Sequence, residues 1–164
     1  MFQLINETKY RVCRRKTARL IKLIFDFYKI EATTADVIVI NSVKMKKLNL
    51  EFRGINKTTD VLAFPAFKRP ADNKKIKTEE EDFLGEIFIN IDEVRQPLKY
   101  QEIFQELYPH DKGRRSQEYI FYFLLTHGLL HLIGYQDKTE KGRRAMIILG
   151  EKFLARFFSK KVKK

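Results

Sequence analysis

Residues 119–135 read YIFYFLLTHGLLHLIGY. A run so apolar must be buried in a protein core or in a bilayer. Its 17 residues are interrupted by Thr126, two histidines and Gly128. A membrane span wants about 20 cleaner residues, so a central core helix is the expectation. His127 and His131 are then the anomaly. Burying an imidazole without a partner costs roughly 1–3 kcal/mol, so each needs something to bind.

The spacing says what that can be. Residues i and i+4 project from one face of a helix, one above the other. The pair is open to two readings, packing within the core or joint ligation of a metal ion. Gly134 is placed to end the helix as a left-handed C′ residue. The reversal it permits brings Asp137 back towards the imidazoles. Two nitrogens and one oxygen around zinc leave a fourth position open, as in catalytic rather than structural sites. The peptidase pattern H-E-x-x-H is absent, because Gly128 follows His127 where the general-base Glu would stand.

The rest of the chain reads as one α+β domain over 1–164. Strands are expected at 2–6, 35–41, 61–65 and 83–91, giving a mixed sheet of about four strands packed by helices. Helical spacing runs from Lys9 to Tyr28, and 42–52 reads as a short helix capped by Ser42. Asp92 is expected to cap a helix to about Tyr108, with a kink or late start at Pro97. The metal-site helix is expected over about 115–133, and a last helix capped by Thr139 to about Phe158. Gly85 marks a bulge or a close backbone approach. Residues 66–82 are polar and charge-blocked and read as a surface loop; the basic tail 159–164 reads as frayed. Asp60 reads as a structural strand-start residue, His110 as solvated, Tyr135 as helix-end packing and Cys13 as half-buried.

One cysteine allows no intrachain disulfide and suits a reducing cytosol. The net charge of +12 is uneven. Residues 1–31 carry 8 Lys/Arg against 3 Asp/Glu, and 138–164 carry 10 against 2; the middle carries 15 against 16. Both ends therefore offer surfaces suited to a phosphate polymer. Nothing at the N-terminus resembles a secretion signal, and no membrane association is expected.

HGLLHLIGYQD (127–137) resembles the signature of the YbeY family of metal-dependent endoribonucleases, H-G-x-L-H-L-x-G-Y-D-H. Asp137 falls on the last His of that pattern, and Gln136 on the Asp before it. LNLEFRGINKTTDVLAFP (48–65) is similar to the family's L-N-x-x-[YF]-R…P-T-D-V-L-S-F-P, with Thr58 for Pro and Ala63 for Ser. LGEI (84–87) resembles L-G-D-I. The resemblance spans nearly the whole chain and implies a zincin-like metal-site helix in a cytoplasmic enzyme. It implies one Zn²⁺ held by His127, His131 and Asp137, with Arg53 acting on substrate near the metal. It further implies a zinc-dependent single-strand endoribonuclease in rRNA maturation, including 16S rRNA 3′-end processing, and in ribosome quality control. The partners implied are rRNA and ribosomal particles. Two rival readings stand beside it: an RNA- or ribosome-binding assembly factor with a structural metal, and a metal-dependent hydrolase of another substrate.

Overall fold

The computed structural model describes residues 2–30, 33–66, 83–108, 110 and 115–159. Most of the loop expected over 66–82, and the tail beyond Ser159, lie outside the described residues.

The elements run β1 (Phe2–Asn6), α1 (Arg14–Tyr28), β2 (Thr34–Ile40), α2 (Ser42–Arg53), β3 (Val61–Pro65) and β4 (Phe83–Asn90). Four helices follow: α3 (Ile91–Val94), α4 (Pro97–Leu107), α5 (Gln117–Ile133) and α6 (Glu140–Phe158). The chain is α+β, as expected. The sheet order is β1-β2-β4-β3, with β1, β2 and β4 parallel and β3 antiparallel along β4.

Side chains alternate across the sheet. Val37, Val39, Ile87 and Ile89 face the main core with α1, α5 and α6. Ile38, Ile40 and Leu62 face the other way, onto Met45 of α2. The expected irregularity at Gly85 is present. The β2–β4 register shifts between Thr34 and Asp36, and a methyl on Gly85 would stand 2.2 Å from the Phe64 carbonyl oxygen.

α5 is the central helix. Beyond Tyr119 all its residues are buried except His127 and His131, which are partly exposed. It meets the sheet at Gly128, where an added methyl would stand 2.6 Å from Ile87 Cγ2. A glutamate at that position would point into the sheet, so the absence of H-E-x-x-H follows from packing as well as from chemistry. Among the described residues no helix is long and apolar enough to cross a membrane.

Several boundaries depart from expectation. α1 begins at Arg14 rather than Lys9, because local side-chain bonds hold the preceding turn. The Asn6 carboxamide accepts from the Thr8 N–H at 3.0 Å and donates to the Tyr10 carbonyl at 2.7 Å. β2 runs one residue earlier than expected, and β4 ends at Asn90. The cap of α2 is Asn41, whose side chain accepts from the Lys44 N–H at 3.0 Å. Ser42 is the first helical residue; its N–H donates to Asp92 at 2.8 Å and its hydroxyl accepts from Asn90 at 3.0 Å. Asn90 rather than Asp92 caps the next helix. That helix stops after one turn, and Pro97 starts α4 at its first turn, where its missing N–H costs nothing. Cys13 is exposed rather than half-buried. His110 is exposed, as expected.

Candidate metal centre

The end of α5 is built by its own sequence. Gly134 adopts φ 110°, a region that side chains rarely enter, and its N–H donates to the His131 carbonyl. The next N–H, that of Tyr135, donates to the Leu130 carbonyl at 3.0 Å. The chain reverses there and returns along the helix end. The Tyr135 hydroxyl lies 2.9 Å from that of Tyr28 on α1, which ties the turn to the body of the protein.

The reversal brings Asp137 onto the histidine face. Asp137 Oδ2 lies 3.2 Å from His127 Nε2 and 3.5 Å from His131 Nε2. The two Nε2 atoms are 3.1 Å apart. Three donor atoms thus form a small triangle. Around a tetrahedral zinc with bonds of about 2.0–2.2 Å, ligand atoms stand about 3.3–3.6 Å apart. The observed edges are within a few tenths of an ångström of that, so the residues present fit such an ion without large movement. Among the described residues, the cluster has these three donors and no fourth His, Cys, Asp or Glu.

Hydrogen bonding prepares the donors. His131 Nδ1 lies 3.0 Å from the Tyr135 carbonyl oxygen, which can only accept. In the neutral ring the proton therefore sits on Nδ1, and the Nε2 lone pair points into the triangle. Burial pushes the His131 pKa below its ordinary value, and the neighbouring His127 and the Arg53 charge push the same way. Asp137 and the Tyr135 carbonyl oppose the shift. The hydrogen bond from His127 holds Asp137 down at about 2 against its partial burial. The neutral imidazole and the ionised carboxylate are the forms that bind a metal.

The triangle opens into a cleft of about 420 Å³. Arg53, the last residue of α2, also lines it and is exposed. Thr59, Asp60, Val61 and Ala63 line it as well. All four residues singled out from the sequence, Arg53, His127, His131 and Asp137, thus border one cleft.

Asp60 does more than start a strand. Its Oδ1 accepts from the Val61 N–H at 3.0 Å, as a strand-start residue would. Its Oδ2 accepts from the Tyr100 hydroxyl at 3.1 Å, and the residue lines the cleft. Nothing local in the sequence pairs Asp60 with Tyr100, which stands 40 residues away on α4.

The comparisons with known proteins agree with the geometry. The profile of the family described as Endoribonuclease YbeY matches residues 3–158. Proteins of that name from Thermodesulfovibrio yellowstonii and Phytoplasma mali are similar to this chain. The first is 33% identical and the match covers 91% of both chains; the second is 32% identical over 89% of this chain and 82% of its own. That from Acholeplasma laidlawii is 34% identical over 76% of this chain and 74% of its own. The solution structure of TM1509 from Thermotoga maritima has the same fold, with a TM-score of 0.53 at 22% identity and full coverage of both chains. A profile match over nearly the whole length, joined to relatives above 30% identity, decides the assignment: this chain belongs to the Endoribonuclease YbeY family.

Proposed function

We propose that this protein is a zinc-dependent endoribonuclease that cleaves single-stranded RNA during rRNA maturation, including at the 3′ end of 16S rRNA, and in ribosome quality control in the cytoplasm. The observation that carries the reading is the triangle of His127, His131 and Asp137 opening on a cleft that Arg53 also lines. The family's name supports RNA as the substrate, and the net charge of +12 suits a polyanion.

His127, His131 and Asp137 are the proposed ligands. When bound, zinc supplies Lewis-acid stabilisation of a phosphoryl oxygen and activates a water at neutral pH. The chain's own groups do the rest. The Tyr135 carbonyl fixes the His131 tautomer, so that ring enters the site with its lone pair already directed. The Asp137 carboxylate brings a negative charge that keeps the triangle's affinity for a cation high. Arg53 offers a planar guanidinium to a phosphate in the cleft, and it stabilises the negative charge that grows as the phosphodiester bond breaks. Its guanidinium lines the same cleft as the three donors, within which it can grip the scissile phosphate.

The rival in which the metal is structural fits less well. A closed zinc site wants four protein ligands, and this cluster has three among the described residues. The test is elemental analysis of the purified protein beside cleavage of single-stranded rRNA fragments with and without chelator. Stoichiometric zinc and chelator-sensitive cleavage are expected. Bound metal without any cleavage would give the assembly-factor reading instead.

A further inference from the structure

Part of the cleft wall hangs on an exposed connection. Arg53 ends α2, Thr59 and Asp60 lead into β3, and residues 54–58 between them are all exposed. The Arg53 guanidinium has no hydrogen bond or ion pair among the described residues. It is therefore free for a phosphate, and the backbone at the end of α2 alone fixes where its side chain starts.

A buried asparagine holds each end of that connection. At the far end stands Asn90, 0% exposed, with Nδ2 3.0 Å from both the Thr58 hydroxyl oxygen and the Thr59 carbonyl oxygen. Asn49 holds the near end, one helical turn before Arg53. Gly54 takes φ 70° and turns the chain out of α2. The Ile55 N–H then donates to the Asn49 carbonyl at 3.2 Å. The Asn49 side chain reaches further along and donates to the Lys57 carbonyl at 2.7 Å.

We propose that Asn49 is a positioning residue for Arg53: its buried carboxamide clamps the connection after α2, so that Arg53 enters the cleft in register with the metal triangle. The proposal rests on the endoribonuclease reading for what Arg53 does there. Asn49 is 4% exposed, and its Oδ1 is buried with no hydrogen-bond partner among the described residues. Half of the carboxamide is thus buried at a cost in stability. A leucine would fill the same place beside Met45 on the buried face of α2 without that cost. Lys57 is itself exposed, where water can serve a carbonyl, so the bond to it contributes position more than stability. Position is what a phosphate-gripping arginine needs, because a misplacement of about 1 Å can cost about 10²-fold in rate.

The experiment has two arms on the full chain. In the first, single-turnover cleavage of single-stranded rRNA fragments is compared for wild type, Asn49→Leu, Arg53→Ala and the double variant, all metal-loaded. Asn49→Leu should lower kcat by about 10- to 10²-fold, change KM by less than about 3-fold and leave the zinc content whole. In the Arg53→Ala background the same substitution should cost less than about 2-fold, because no guanidinium remains to be misplaced. A residue that only supports the fold would cost the same in both backgrounds. Such additive losses, or a wild-type rate for Asn49→Leu, overturn the proposal while the endoribonuclease reading stands. Thermal melting checks that each variant is folded, and Asn49→Ala, which adds no bulk, repeats the cycle. The second arm needs no variant: amide ¹⁵N relaxation of wild type should give residues 54–57 order parameters near the ~0.85 of rigid backbone. Values below about 0.6 overturn the proposal, because a connection that moves so freely is not clamped. No chelator-sensitive cleavage by wild type removes the endoribonuclease reading, and the role of Asn49 in the rate falls with it.

Discussion

His131 Nδ1 lies 3.0 Å from the carbonyl oxygen of Tyr135, four residues on and past the end of its own helix. That hydrogen bond exists only because Gly134 takes φ 110° and turns the chain back. Gly134→Ala places a Cβ in a conformation that L side chains rarely adopt. The expected result is loss of both the helix end and the ring's orienting bond. Partners of this kind are worth about 10–100-fold in metal affinity. Competition with a zinc indicator checks it, and unchanged affinity would mean that the Tyr135 carbonyl does not orient the ligand.

Asp137 gives the site its pH behaviour. Its pKa is depressed to about 2, first by the His127 hydrogen bond. A depressed carboxylate contributes above its unfolded value, near 4, and the contribution is lost as pH falls through about 2. His131 is depressed too, so its neutral form persists below its ordinary 6.5. Metal release on acidification should therefore begin below about pH 6.5 as His131 takes up a proton, with Asp137 still ionised. Asp137→Ala should lose the metal. Asp137→His should keep or strengthen binding at neutral pH and release the ion more steeply on acidification, because three imidazoles then compete with protons. Metal content against pH, measured after dialysis, separates the three proteins.

Gly128 is where α5 touches the sheet. Gly128→Ala should cost about 1–3 kcal/mol by overpacking against Ile87, read as a lower urea midpoint. Gly128→Glu would complete the zinc-peptidase spacing on paper. It should destabilise further and give no peptidase activity, because the new side chain points at β4 rather than into the cleft.

Much of the metal centre is legible in the sequence because its determinants are local. Helical spacing puts His127 and His131 on one face, a glycine follows, and the third donor lies just past it. Arg53 is legible only through family resemblance; periodicity says nothing about what the end of α2 faces. The Asp60–Tyr100 pair depends on how α4 docks, which no local pattern encodes. The same limit explains the caps. Asn41 and Ser42 are both good N-caps, and the choice between them is made by Asn90 and Asp92, the latter 50 residues away. Likewise, α1 starts late because Asn6 and its neighbours satisfy their backbone locally, which helical periodicity does not register.

Arg53 is proposed to act at the scissile phosphate, and its substitution separates catalysis from binding. Arg53→Ala should lower kcat by about 10²–10³, as removal of one donor to a developing oxyanion does. Zinc content should stay whole, because Arg53 is not among the ligands. Arg53→Lys should recover only part of the rate, since an ammonium cannot grip a phosphate in two places. Single-turnover cleavage under saturating RNA is the measurement. A wild-type rate for Arg53→Ala would end the assignment.

The excess charge predicts a salt dependence of another origin. α1 carries Arg15, Arg19 and Lys22 on exposed positions, and α6 carries Lys152 and Arg156. Arg19 is held rather than free: its guanidinium donates to the Phe157 carbonyl at 3.0 Å and lies 4.4 Å over the Phe157 ring. Through that bond the two basic helices form one surface, bordering a groove between α1 and the end of α6. α6 runs antiparallel to α5, with Phe157 against Tyr122 near the start of α5, so this groove lies at the far end of α5 from the metal triangle. Cations there can hold RNA backbone but cannot touch the phosphate being cleaved. Removing one cation that pairs with a phosphate should flatten the slope of log affinity against log salt by about 0.7 for a single strand. Replacing Arg15, Lys22 and Arg156 by Gln should therefore reduce that slope by up to about 2 and raise KM far more than it lowers kcat. Arg53→Ala should do the opposite, lowering kcat far more than it raises KM and flattening the slope by no more than the about 0.7 of a single contact. An unchanged slope in the triple variant would remove this face from the RNA path. A fall in its kcat with KM unchanged would mean that the groove acts on the cleavage step instead.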